Sequence, residues 1–185
     1  MKPSKVFLIL QTVGMYLIII PLLLAILFME LDINEELQII LNRSMFITAF
    51  IFMIIVFHLC VANFIIAIVG SFKGMKNPSK ITMIVKLSLI PYFIANFAIC
   101  FLIFAGMLNP FLLLAIPLVI SMMVLTTYIY MVSTSVYDIA FFIRSAAKRQ
   151  IKTKTPFVLA TVFLFLFCFD IVGSIIFFAN SRYLE

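Results

Sequence analysis

Five long apolar runs, at 6–29, 46–69, 87–106, 111–137 and 157–180, leave little of this chain free to fold in water. Each is roughly 20 residues or longer, the length a helix needs to cross a hydrocarbon core ~30 Å thick. Inside such a core each backbone donor and acceptor must be met within the segment, so the runs are predicted to be helices. Only 11% of the 185 residues are charged, whereas an ordinary soluble domain carries about 25%. The stretches between the runs are too short for a separate soluble unit. The expected fold class is therefore all-α: a polytopic integral membrane protein, one domain over 1–185, built as a bundle of five transmembrane helices.

The distribution of Lys and Arg orients that bundle. Lys2 and Lys5 precede the first run. Lys73, Lys76, Lys80 and Lys86 lie between the second and third, and Arg144, Lys148, Arg149, Lys152 and Lys154 between the fourth and fifth. If every run crosses, these eleven of the thirteen cations share a side, and only Arg43 and Arg182 face the other. Cytoplasmic loops carry the Lys/Arg excess, so the N-terminus is expected inside and the C-terminus outside. Nine Lys against four Arg, with many Ile, Phe and Asn, is the composition expected of a low-GC bacterium, which points to a bacterial cytoplasmic membrane. The net charge of +6 is accounted for by orientation and by anionic lipid, so nucleic acid is not an expected partner. The cations Arg144, Lys148, Arg149, Lys152 and Lys154 are predicted to contact anionic headgroups or an acidic membrane partner.

Cys60, Cys100 and Cys168 all fall inside runs, and no CxxC or HxxxH pairing accompanies them. They read as small thiols between helices, and neither a metal nor a cofactor is predicted. The first run is too long for a signal-peptide core, and residues 28–31 offer no small-residue cleavage site, so it reads as an uncleaved helix. Between the first two runs, Asn34 is placed to cap a short helix with Leu37, Ile40 and Leu41 on one side, either lying on the outer surface or extending the second helix outward. The start of a calcium loop at Asp32 lacks the required Gly and Glu, where Leu37 and Arg43 stand.

Small and polar residues recur on single faces. Gln11, Gly14, Pro21 and Ala25 share a face of the first helix, and Pro21 should bend it. Cys60, Asn63, Ala67 and Gly70 form a packing stripe on the second, since small residues let membrane helices approach closely. Ser88, Tyr92, Asn96 and Cys100 repeat along the third. Thr127, Tyr130, Thr134, Tyr137 and Asp138 fall within an arc of about 100° on the fourth. That stripe lines either an inner vestibule or a neighbouring helix. Past it, Ile139, Phe142, Ile143 and Ala146 keep a helical period, so the fourth helix is expected to run on or to turn along the membrane surface. The short connection at Asn109 and Pro110 predicts a tight hairpin between the third and fourth helices.

Asp170 is the sharpest single residue, because an acid at a helix centre costs ~2.5–3.5 kcal/mol on the insertion scale and must face protein or water. Helix arithmetic puts Asp170, Asn96 and His58 at similar depth, ~15–18 Å below the outer surface. Together they form a candidate proton or cation site, with His58 as the partner of Asp170; the alternative is a protonated or hydrogen-bonded acid that fixes helix packing, against Asn96 or a partner subunit. For catalysis the sequence offers one His, one acid at a helix centre and no nucleophile motif, so an enzyme is not expected. Two non-enzymatic functions remain. One is a small component of a membrane assembly (a transporter subunit, a secretion or assembly helper, or an immunity-type protein), bound to a membrane protein partner or to further copies of itself. The alternative is a small proton- or cation-coupled carrier or channel using Asp170 and His58. A membrane-embedded enzyme is the third and least supported.

Overall fold

A computed structural model describes residues 3–30, 34–72, 77–105, 115–148, 155–166 and 169–182. All elements formed by these residues are helices: α1 (Pro3–Glu30), α2 (Glu35–Phe72), α3 (Ser79–Ser88), α4 (Ile90–Ala105), α5 (Ala115–Ala147), α6 (Thr155–Leu164) and α7 (Asp170–Ser181). Among the described residues four stretches are long and apolar enough to cross a membrane: α1, α2, α3 with α4, and α5.

The polar side chains Gln11, Asn63, Lys86, Thr127, Asp138 and Asp170 are buried, while Phe50, Ile65, Phe97 and Phe101 are exposed. This inverts the soluble pattern and suits a bundle surrounded by lipid, where burying apolar surface gives no drive and polar contacts hold helices together. Gly14 brings α1 and α2 together: a Cβ there would lie 2.5 Å from Val56 Cγ2. The expected packing stripe of α2 is inside the bundle, with Cys60, Asn63 and Ala67 buried and Gly70 half-buried.

Several local expectations are met with a definite outcome. Asn34 Oδ1 accepts from the Glu36 N–H at 3.0 Å, and its carbonyl accepts from Gln38. Asn34 therefore caps α2 itself, and the helix foreseen in this loop is the outward extension of α2, 38 residues long in all. Asp32 of the loop lies outside the described residues, as do Asn109 and Pro110. Pro21 is accommodated within α1. Helix α5 runs unbroken to Ala147, so the period seen past Tyr137 belongs to the same helix.

Two boundaries differ from the sequence reading. The third membrane segment starts at Ser79, not near residue 87, and a turn at Leu89 divides it. Pro91 explains the division, because it cannot donate to Leu87 and its ring crowds that carbonyl. Lys80 and Lys86 consequently belong to a helix and not to a loop.

The larger difference concerns 157–180, which is two helices and not one continuous helix. Phe157 meets Phe177 edge-on at 5.3 Å between ring centroids, and Gly173 lies against Ala160 and Leu164. Later residues of α6 thus face earlier residues of α7, so the two run antiparallel as a hairpin. At 1.5 Å per residue they are ~15 and ~18 Å long, about half a hydrocarbon core. The interruption falls in a stretch where Phe163, Phe165, Phe167 and Phe169 alternate, and aromatic residues are modest helix formers. Phe157 also stacks on Phe142 of α5, and Asn77 Nδ2 donates to the Ser181 carbonyl at 3.1 Å. Both ends of the hairpin therefore lie beside the start of α3 and the end of α5. Arg182 sits at this end, where Lys5, Lys80, Arg144 and Lys148 also fall, and not opposite them. Among the described residues only Arg43 remains toward the other end.

Candidate functional site

The tip of the hairpin enters a space between α3 and α5 that is lined with polar side chains. Helix α3 repeats Ser79, Thr82, Lys86 and Leu89 at helical spacing, and all four are buried. This face meets α7 and the polar stripe of α5. Lys86 is 1% exposed and Asp170, the first residue of α7, 2%. Lys86 Nζ donates to Asp170 Oδ1 in a close ion pair and to Ser135 Oγ at 2.7 Å. Ser135 Oγ is 3.0 Å from the same carboxylate oxygen and 2.8 Å from the Met131 carbonyl, so its one proton serves one of the two. The start of α7 contributes a partial positive charge, favourable to a carboxylate there.

A second polar layer lies one turn nearer the cationic end. Thr82 Oγ1 is 2.9 and 2.8 Å from the two carboxylate oxygens of Asp138 and 3.0 Å from the Ser79 carbonyl. Thr82 and Lys86 are four apart on α3, and Ser135 and Asp138 three apart on α5, so the layers stack along facing helix surfaces. Lys86 and Asp170 are both close enough to Asp138 to act on its charge. The charge count is the chemically informative quantity. With all three groups ionised, Lys86, Asp138 and Asp170 sum to −1. One proton on a carboxyl, or one bound monovalent cation, brings the sum to zero, which a low-dielectric interior favours. The described residues contain no group of three His, Cys, Asp or Glu arranged to hold a metal ion.

Neutral networks hold the remaining helices. Gln11 Nε2 donates to Cys60 and Ser133, Asn63 Nδ2 donates to Gln11 Oε1, and Tyr137 donates to Asn63 Oδ1 at 2.7 Å. Thr12 and Tyr130 hydroxyls meet at 3.1 Å, and Thr127 Oγ1 meets Tyr92 and Asn96. The α5 stripe of Thr127, Tyr130, Thr134, Tyr137 and Asp138 is thus buried against its neighbours. Of the two readings, it lines helix contacts and not a vestibule.

The residues grouped by depth are not brought together. His58 is exposed on α2, with Nδ1 at 2.8 Å from the Ile54 carbonyl, and the partner of Asp170 is Lys86 instead. Asn96 is buried and donates to Thr127 at 3.3 Å, ten residues beyond Lys86 on the same segment and so ~15 Å along it. Direction around its helix turns His58 outward, and position along the segment separates Asn96 from Lys86 and Asp170. Of the expected cytoplasmic contacts, Lys148 is exposed and Arg144 half-buried, while Arg149, Lys152 and Lys154 lie outside the described residues, as does Cys168.

Lys86, Thr82 and Ser135 were not singled out from the sequence. Their signal was present as the spacing 79, 82, 86, 89, hidden because a Lys beside an apolar run reads as its flank.

A family model described as a family of unknown function, DUF6652, matches residues 4–183. The chain belongs to the DUF6652 family. No curated protein and no solved structure matches it. The match extends over α1 to α7, so the α6–α7 hairpin and the Lys86, Asp138 and Asp170 cluster all fall within the family's span.

Proposed function

We propose that this DUF6652 protein is a small proton- or cation-coupled carrier, with four membrane crossings, a re-entrant hairpin and its cationic end in the cytoplasm. The observation that carries the reading is the cluster of three ionisable side chains, each at most 2% exposed, that is one positive charge short of balance. Ionisable groups within a membrane domain are costly and mark ion or substrate paths. A purely structural contact is served as well by apolar residues of similar volume. The hairpin supports the same reading, since half-length helices that end at mid-depth are a recurring way for carriers to present a helix terminus to a site. The three side chains are buried, as in an occluded state, and α7 is the element whose movement would open the site.

The reading as a component of a larger assembly drew on small size, on the lack of a separate soluble unit and on small and polar stripes beyond the needs of one bundle. Gln11, Gly14, Ala25, Cys60, Asn63 and Ala67 are all spent inside this one. We also read the protein as non-enzymatic. Ser135 touches an amine, but Lys86 is committed to Asp170 and leaves the hydroxyl without a free base.

The topology has a direct test. A reporter fused after Glu185 is expected to behave as cytoplasmic, like one at Asn77, and a reporter near Arg43 as extracytoplasmic. An extracytoplasmic reporter after Glu185 would restore a fifth crossing. For transport, purified protein in liposomes is expected to dissipate an imposed H⁺, Na⁺ or K⁺ gradient. Asp170→Asn should remain folded yet fall to the level of protein-free liposomes. Wild-type protein that moves none of the three ions faster than empty liposomes would refute the carrier.

A further inference from the structure

At the cationic end, between the start of α3 and the end of α7, a cavity of about 480 Å³ is lined by Asn77, Lys80, Phe178 and Arg182. Its two cations are exposed, and the described acidic side chains lie elsewhere. Glu35 and Glu36 begin α2 at the other end, and Asp138 and Asp170 are buried. The cavity has a defined shape. Asn77 Oδ1 accepts from Ser79 N–H at 3.1 Å and Ser79 Oγ at 2.6 Å, while its amide holds the Ser181 carbonyl, which ties the two helix ends together. The Arg182 guanidinium lies 5.7 Å from the centre of the Phe178 ring, which holds it beside the opening.

Below the cavity the exposed face of α7 is apolar. Phe169, Val172 and Ile175 are exposed at spacings of three and lead toward Phe178, a strip ~13 Å long running from the hairpin tip to the cations. Positive charge at headgroup level above an apolar strip at acyl-chain level matches the two parts of a lipid. We propose that this cavity binds the phosphate headgroup of an anionic phospholipid, with an acyl chain along Phe169, Val172 and Ile175. The strip favours a lipid over free phosphate, which would leave the apolar part unused. A headgroup held by Lys80 and Arg182 bridges α3 and α7, the same helices that Lys86 and Asp170 join deeper in the bundle. Bound lipid therefore steadies the hairpin, whether or not the protein transports anything.

The test is binding of phosphatidylglycerol to the full chain in neutral detergent, counted by native mass spectrometry. Lys80→Gln with Arg182→Gln is expected to weaken binding roughly tenfold or more, from the loss of two cations beside an anionic headgroup. Arg43→Gln should leave it unchanged, and the charge-conserving pair Lys80→Arg with Arg182→Lys should retain it. Equal binding of phosphatidylglycerol by the Gln pair and wild type would overturn the site. Equal binding of phosphatidylcholine would overturn its charge selectivity, and glycerol phosphate binding as tightly as the lipid would assign it to a free anion. Should the Gln pair fail to fold, wild-type protein decides by salt, since lipid binding that ignores ionic strength would equally overturn the proposal.

Discussion

Lys86→Met is expected to destabilise the protein by about 3–5 kcal/mol, because it leaves Asp170 buried without its partner. The two side chains are 1% and 3% exposed, so water does not replace the lost ammonium. Asp170→Leu alone should be similarly severe, leaving the ammonium with only Ser135. The double variant Lys86→Met with Asp170→Leu removes both charges together and should recover most of the loss. Unfolding titrations in mixed micelles of the four proteins give the coupling directly. Single variants that unfold like wild type would mean that the pair is open to water. The same set separates stability from function: a folded double variant without flux fits a loading site, and one with full flux would confine the pair to a structural role.

Gly173→Ala is expected to open the hairpin. An added Cβ would lie 2.9 Å from the Ala160 carbonyl oxygen and 3.0 Å from the Leu164 nitrogen and Phe163 Cβ. The first two are helix backbone and cannot turn aside, so α7 must withdraw from α6. The cost is about 1–3 kcal/mol, typical of overpacking, and larger for Gly173→Leu. Because Asp170 is less than one turn away, the same withdrawal pulls its carboxylate from Lys86. Flux should fall together with stability, whereas exposed Val158→Ala should alter neither strongly. A Gly173→Ala protein as stable as wild type would mean that the two half-helices are not in contact.

The all-helical class and the long apolar segments were legible in the sequence, because each rests on a local count of apolar residues along one stretch of chain. The cap at Asn34 was legible for the same reason, as were the inward faces of α1, α2 and α5, where helical period places Gln11 with Gly14, Cys60 with Asn63 and Tyr130 with Tyr137. The site was only half legible. Asp170 stood out since an acid within an apolar run has one energetic explanation. Lys86 did not, since beside such a run a cation is as well placed in a loop as in a helix.

What the sequence determined by itself is that this chain forms apolar helices with polar faces and gathers its cations toward one end, because hydropathy and helical period are properties of neighbouring residues. What the tertiary structure alone decided is that 157–180 forms two antiparallel helices and that Lys86, and not His58, meets Asp170. A run of that length suits one crossing or two half-helices equally. The choice is made by contacts distant in sequence, with Gly173 against the backbone of α6 and Asp170 against a lysine 84 residues earlier. Such a pairing stabilises one arrangement only when both partners leave water together, and no local pattern records which partners will do so.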